Sequence, residues 1–389
     1  AIPLNHNGKV DRRALPKFSA ADLAAGDEAP EGPIETKMVA IWCELLGLKQ
    51  VGAEANFFEL GGHSLLAVRL FDQLKKQFDV EMPISTLFQN PTVRTLAAKV
   101  QSLQGAPAVS VQAADDWDTT TVIHRGPHGT REKALFIVGG VGGNVNNLYE
   151  LGQKLGRKRP VVGFQTRGIL GHTPRTSIEE IAAEHVRYMK VHQPTGPYLV
   201  AGYSGGAITA FEMARQLVAA GEQVVELFIF DTFAPGFAVD FRPQVRMTIG
   251  ERVKNEVKLL REEGVGFLFE RASAVMQRKL WRGPARALNK LLRPSVYRLK
   301  LVEESWLAAA ANYRGGAYPG TIQLLKTEPR GLKSKLAYAQ DPTLGWGSIA
   351  GERLRVVRVP GDHLRMIVGT NADAVVAAVE QRIEELRKG

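Results

Sequence analysis

The stretch Tyr198-Leu-Val-Ala-Gly-Tyr-Ser-Gly-Gly-Ala-Ile, residues 198–208, constrains this chain more than any other. An apolar run ends at Gly202, Ser204 follows among glycines, and a helical pattern opens at Ala207 and continues Ile-Thr-Ala-Phe-Glu-Met-Ala-Arg-Gln-Leu. A strand, a tight turn carrying a serine and then a helix form the context of a G-x-S-x-G nucleophile elbow. Such a turn is strained and crowded, and Gly202 and Gly206 present no Cβ to the neighbouring strand and helix. By itself the five-residue pattern also fits a Gly/Ser turn without chemistry. The strand before it and the helix after it favour the elbow.

A chain of 389 residues suggests two or three domains. The formal charge of +10, concentrated between Arg242 and Lys300, favours anionic partners but does not bear on fold. No run approaches the roughly 18 apolar residues of a membrane span, and no secretory signal pattern opens the chain. Neither a membrane nor a nucleic-acid partner is expected. The single cysteine, Cys43, excludes an internal disulfide framework and fits a reducing, cytoplasmic setting. It reads as a small packing side chain. No Cys/His cluster has metal-ligand spacing, and the first residue, Ala1, suggests a piece of a longer chain.

Residues 1–18 are too short to fold alone. Their phrase Pro3-Leu-Asn-His-Asn-Gly-Lys-Val-Asp-Arg resembles the closing motif of the adenylation domain of non-ribosomal peptide synthetases. In that family the lysine matching Lys9 contacts the activated amino acid, but here the rest of such a domain is missing, so the segment reads as an orphaned tail. Residues 19–31 are Ala-, Asp-, Gly- and Pro-rich and read as a linker. Helical spacing follows over Thr36–Leu48.

Next comes Asn56-Phe-Phe-Glu-Leu-Gly-Gly-His-Ser-Leu-Leu-Ala-Val-Arg-Leu, a turn at Gly61-Gly62 and a helix starting at Ser64. The bland role for Ser64 is an N-cap. The stretch, however, resembles the attachment motif of peptidyl carrier domains almost residue for residue. There the matching serine, Ser64, carries 4'-phosphopantetheine in a phosphodiester, installed by a separate phosphopantetheinyl transferase. A helix N-terminus favours the phosphate charge. Further helices over 83–88 and 92–103 complete a small four-helix bundle across residues 32–104.

Residues 105–118 are again linker-like. From Thr121 apolar strands alternate with amphipathic helices: strands over 134–138, 160–164, 198–201, 224–230, 321–325 and 354–359, helices over 146–155, 177–192, 207–219 and 372–386. This order predicts a mainly parallel sheet with helices on both faces, an α/β class in which ligands sit at the carboxyl ends of the strands. Four features fall there: Gly139-Gly-Val-Gly-Gly-Asn, Ser204, Asp231 and His363. The order Ser, Asp, His is that of an α/β-hydrolase triad. In that reading His363 takes the proton of Ser204 and Asp231 orients the imidazole, with the amide of Gly205 as one oxyanion donor. Asp362, adjacent to His363, is a rival for the acid, but an adjacent loop residue rarely reaches the far nitrogen of its neighbour. His185 and His192 read as surface or packing residues of a helix; His124, His128 and His172 have no partner spacing.

The span 119–389 resembles the type I thioesterase domains that end non-ribosomal peptide synthetases. The matching phrases are Gly-Pro-Tyr-Leu-Val-Ala-Gly-Tyr-Ser-Gly-Gly, Ala-Phe-Glu-Met-Ala-Arg-Gln-Leu, Asp341-Pro-Thr-Leu-Gly-Trp and Val-Pro-Gly-Asp-His. The resemblance implies that Val141 supplies the other oxyanion amide; Gly139-Gly140 stands where many members have His-Pro. A long insertion over about 236–318 reads as a helical lid. Together the motifs imply the end of a synthetase: an adenylation tail, a carrier and a thioesterase that takes the peptidyl chain onto Ser204 and releases it by hydrolysis or macrocyclisation. The implied partners are upstream condensation and adenylation domains and the peptidyl substrate. Oligomerising release, an editing thioesterase and a non-catalytic carrier-binding module are the competing readings.

Overall fold

A computed structural model of the chain describes residues 28–62, 64–80, 82, 86–104, 119–141, 143, 145–168, 173–237, 294–328 and 341–388. The expected adenylation tail with Lys9, the second linker, most of the first linker, His172 and most of the expected lid lie outside the described residues. The chain divides into two compact units, Ala1–Gln112 and Ala113–Gly389.

The described part of the first unit holds helices α1 (Gly32–Leu46), α2 (Ser64–Phe78), α3 (Thr86–Gln89) and α4 (Val93–Leu103). Helix α1 opens before Thr36 because a proline in its first turn already has the helical φ and lacks only an N–H that the turn leaves unpaired. It stops at Leu46 because Gly47 takes the left-handed conformation (φ 69°) and returns its N–H to Cys43. Met38, Trp42, Phe57, Leu70, Leu74, Leu87, Leu96 and Val100 form the interior. Trp42 and Phe57 meet edge to face with centroids 5.1 Å apart. Each such side chain stabilises the unit by about 1.5–3 kcal/mol.

The second unit is built on one seven-stranded sheet. Its strands are β1 (Thr120–His124), β2 (Leu135–Val138), β3 (Val161–Phe164), β4 (Tyr198–Tyr203), β5 (Val224–Phe230), β6 (Ile322–Lys326) and β7 (Leu354–Arg358), and their spatial order is β1-β3-β2-β4-β5-β6-β7. All neighbours run parallel except β1, which pairs antiparallel with β3. Sequence patterning assigned no strand of its own to residues 120–124. As an edge strand, β1 alternates half-buried with buried positions instead of forming an apolar run. Strands β2, β3 and β4 are buried at every position, the signature of strands covered on both faces.

The covering helices are α5 (Tyr149–Gly156), entered through a 3-10 turn at Val145–Leu148, α6 (Ile178–His192), α7 (Gly206–Ala219) and α9 (Gly369–Lys388), whereas α8 (Pro294–Asn312), inside the span expected to be a lid, packs on α6 and α7. Side chains of β2, β4, β5, α6 and α7 share one core with Trp306, Tyr313, Tyr318 and Trp346. A mainly parallel sheet in this layering is the α/β-hydrolase architecture. The strand order reverses between β2 and β4, and in open α/β sheets ligands bind at the carboxyl edge beside such a reversal.

Candidate active site

Register decides what meets at that edge. Tyr203 pairs with Phe230 and Phe230 with Leu325, so the residues that follow β4, β5 and β6 leave the sheet at one level. The backbone stitches them together. The amide of Ser204 donates to Phe230 O (3.2 Å), that of Asp231 to Leu325 O (2.8 Å) and that of Val359 to Lys326 O (2.9 Å).

Ser204 sits in the left-handed region at φ 52°, a strained position for a residue with a side chain. The turn is closed so tightly that a Cβ on Gly206 would lie 1.9 Å from Gly139 O and one on Gly202 2.3 Å from Ala207 Cα. Only glycine fits either place, which is why the motif has glycines two residues on each side of the serine. Thr232 fixes the turn from β5, its hydroxyl donating to Ser204 O at 2.7 Å.

His363 lies on the loop between β7 and α9. Its Nε2 is 2.9 Å from Ser204 Oγ and its Nδ1 is 3.0 Å from Asp231 Oδ2. An ionised carboxylate only accepts, so Nδ1 carries the proton and Nε2 is left with its lone pair toward the serine hydroxyl. Asp231 also has φ 52°, and its side chain is only 5% exposed. Both carboxylate oxygens are held by the residue that follows β6: Thr327 N donates to Oδ1 (2.9 Å) and Thr327 Oγ1 to Oδ2 (3.0 Å). Asp362 does a different job. Its carboxylate accepts the amides of Leu364 (3.1 Å) and Arg365 (3.0 Å), shaping the turn that carries His363.

The loop after β2 passes the serine. A Cβ on Gly140 would lie 3.6 Å from Ser204 Cβ and 3.9 Å from its Oγ. The Gly205 amide precedes the first intrahelical acceptor of α7, so helix geometry provides it with no partner. Where a Cβ of Gly205 would stand, Val141 Cγ2 and Trp306 Cη2 both approach to 2.7 Å, so Val141, Gly205 and the indole of α8 pack together. Trp306 donates to Thr209 Oγ1 on α7 (3.3 Å) and Tyr313 to Glu212 Oε2 (2.5 Å), fastening α8 onto the helix that follows Ser204.

The sequence alone marks no role for several of these residues. Thr327 could have been found by the same strand-end rule that located Ser204 and Asp231. The phrase Asp341-Pro-Thr-Leu-Gly-Trp is structural support. Asp341 accepts from Thr343 N (2.7 Å), Thr343 Oγ1 (2.6 Å) and Gly345 N (2.8 Å), and Trp346 Nε1 donates to Thr232 O (2.7 Å). Burial works against ionisation of Asp341, but those hydrogen bonds win and hold its carboxyl below the usual range. Of the histidines, His185 is buried and stacks on Phe164, with Nδ1 3.0 Å from Thr119 Oγ1.

In the first unit Ser64 is the first residue of the fifteen-residue α2. The preceding turn has Gly61 at φ 87°, and a Cβ on Gly62 would lie 2.3 Å from the Phe57 ring, so glycine alone lets the chain pass the buried phenyl and deliver a serine at the helix start. A serine there suits a phosphodiester: the helix end favours the anionic phosphate. Among the described residues no group of His, Cys, Asp and Glu could hold a metal ion, and no helix is long and apolar enough to cross a membrane.

Residues 133–383 match the family model for the thioesterase domain, and residues 36–100 match that for the phosphopantetheine attachment site. The latter domain carries 4'-phosphopantetheine covalently. Among curated proteins, indigoidine synthase of Dickeya dadantii (strain 3937) is 37% identical over 236 residues, 60% of this chain and 15% of that protein. Chondramide synthase of Chondromyces crocatus is 26% identical over 405 residues, 99% of this chain and 10% of that protein. The chain thus spans about a seventh or less of these relatives. A crystal structure of a four-domain nonribosomal peptide synthetase in its holo form, bound to AMP and glycine, superposes with a TM-score of 0.52 at 26% identity, covering 98% of this chain and 28% of that one.

Proposed function

Because this chain belongs to the thioesterase domain family, we propose that Ser204, His363 and Asp231 are its catalytic triad and that it forms the releasing end of a non-ribosomal peptide synthetase. The observation that carries this reading is the unbroken hydrogen-bond line Ser204 Oγ, His363 Nε2, His363 Nδ1, Asp231 Oδ2, at 2.9 and 3.0 Å.

The attached phosphopantetheine, on Ser64 in this reading, supplies a thiol that holds the acyl chain as a thioester. Ser204 Oγ adds to the acyl carbonyl while His363 Nε2 takes its proton, then returns the proton to the departing sulfur. Asp231 stabilises the transient imidazolium and keeps the ring in the productive tautomer. The amides of Gly205 and Val141 are the proposed oxyanion donors, each worth about 2.7–4 kcal/mol to the rate in comparable sites. Water, or a nucleophile on the acyl chain itself, then attacks the Ser204 ester with His363 again as base. A linker of about a dozen residues would hold the carrier at millimolar-scale effective concentration. Condensation and adenylation domains upstream, a phosphopantetheinyl transferase and a peptidyl substrate are the partners this reading needs.

The test is to load Ser64 with a pantetheine-linked acyl chain and follow the intact protein by mass spectrometry. Acyl mass moves from a Ser64 peptide to a Ser204 peptide in the unsubstituted chain and stays on Ser64 in Ser204→Ala. Failure of the acyl group to reach Ser204 in a preparation that turns over would overturn the triad assignment. Analysis of the released product separates hydrolysis from cyclisation.

A further inference from the structure

We infer that Tyr203 is a positioning residue for the base: it ties His363, which sits on a loop, to the strand that ends in Ser204. This rests on the triad reading above. Two observations carry it independently. The Tyr203 hydroxyl donates to the backbone carbonyl of His363 at 2.8 Å. The two rings also lie nearly parallel, 20° apart with centroids at 5.3 Å.

The need for such a tie follows from where His363 sits. Its side chain is 40% exposed and belongs to a loop, whereas Ser204 and Asp231 are fixed at strand ends. Asp231 constrains only one ring nitrogen. A single hydrogen bond at Nδ1 leaves the ring free to pivot about it and carry Nε2 away from Ser204 Oγ. Tyr203 removes that freedom in two ways: the hydroxyl pins the main chain of His363, and the phenol closes off one ring face. Tyr203 is itself 2% exposed and is the last residue of β4, so the rigidity of the central sheet is transmitted to the base. Burial, and then the carboxylates of Asp231 and Asp362, push the phenol's ionisation upward, so it remains a hydrogen-bond donor throughout the working range of a thioesterase. The residue between Gly202 and Ser204 in the motif therefore has a role of its own. It is covalently adjacent to the nucleophile and in contact with the base.

The experiment uses the full chain and a fluorophosphonate that labels the serine nucleophile, forming an Oγ–P bond as fluoride leaves. Labelling rates are compared for the unsubstituted chain, Tyr203→Phe, His363→Ala and the double variant, with thermal midpoints measured alongside. Tyr203→Phe keeps the ring and loses the hydroxyl. It should slow labelling about fivefold, the worth of one neutral buried hydrogen bond, and Tyr203→Leu should slow it further. In the His363→Ala background Tyr203→Phe should change nothing, because the tie then has no base to hold. Equal slowing in both backgrounds marks a merely structural tyrosine and overturns the inference, as does a Tyr203→Phe rate equal to that of the unsubstituted chain. Unlabelled Ser204 in the unsubstituted chain overturns the triad reading together with this one, whereas the other outcomes strike this one alone.

Discussion

Thr327 grips both oxygens of Asp231, with its amide at Oδ1 (2.9 Å) and its hydroxyl at Oδ2 (3.0 Å), the oxygen that also faces His363 Nδ1. The carboxylate is thereby fixed from the end of β6, a strand that carries none of Ser204, Asp231 and His363. Thr327→Val preserves shape and the amide bond but removes the hydroxyl. It should lower kcat about fivefold with KM little changed, and Thr327→Ser should restore most of the loss. Steady-state kinetics on a short acyl thioester check both.

The two candidate acids are separable by substitution. Asp231→Asn leaves the geometry but offers the imidazole the wrong hydrogen-bond partner, so kcat should fall by roughly three to four orders of magnitude. Asp362→Asn keeps an oxygen for the Leu364 and Arg365 amides and should cost less than tenfold. Equal losses in the two variants would refute the division of labour.

Gly206→Ala should be among the most damaging small substitutions in the chain. Its methyl would stand 1.9 Å from Gly139 O and 2.6 Å from Val138 O, both main-chain atoms that cannot swing aside. A loss of about 3 kcal/mol or more is expected. Urea titration of the unsubstituted and variant chains measures it, and a loss under about 1 kcal/mol would show that the loop after β2 can yield.

Trp346→Phe removes the donor to Thr232 O from a wholly buried site. The orphaned carbonyl and the partial cavity together predict about 2–4 kcal/mol of destabilisation. Because Thr232 in turn holds Ser204 O, labelling of Ser204 should slow as well.

His185, whose Nδ1 faces Thr119 Oγ1, gives the second unit an acid-sensitive point outside the hydrogen-bonded line of Ser204, His363 and Asp231. Burial lowers its pKa to about 3. A depressed folded-state pKa means that the unfolded chain takes up the proton first. The contribution is therefore complete above the unfolded value near pH 6.5 and drains away as the pH falls toward 3, on the order of 5 kcal/mol in all. His185→Gln does not titrate in this range, so its thermal midpoint should fall less steeply between pH 6.5 and 4. Parallel curves for the two proteins would remove His185 as the cause.

The periodicity of the chain was enough to read most strands, because parallel strands buried on both faces are continuous apolar runs. Strand β1 escaped because an edge strand is patterned more weakly. Ser204, Asp231 and His363 stand out in the sequence because each directly follows or closely trails a strand, where side chains reach the ligand edge of such a sheet. Thr327 and Tyr203 do not stand out. Threonine after a strand and tyrosine inside one are ordinary, and nothing local says what their hydroxyls will touch. The same holds for Asp341-Pro-Thr-Leu-Gly-Trp, a phrase whose purpose appears only when Trp346 is found against Thr232.

Residues 198–208 by themselves determined a crowded strand-turn-helix with a serine at its tip, because only Gly202 and Gly206 let strand and helix approach so closely. Their sequence could not say that this serine meets an imidazole. That depends on register: Tyr203 paired to Phe230 and Phe230 to Leu325 bring three strand ends to one level, and His363, 159 residues beyond Ser204, reaches 2.9 Å from its hydroxyl. Local propensity specifies a turn within a few residues. The separation of groups that are distant along the chain is set only by the packing of the whole sheet.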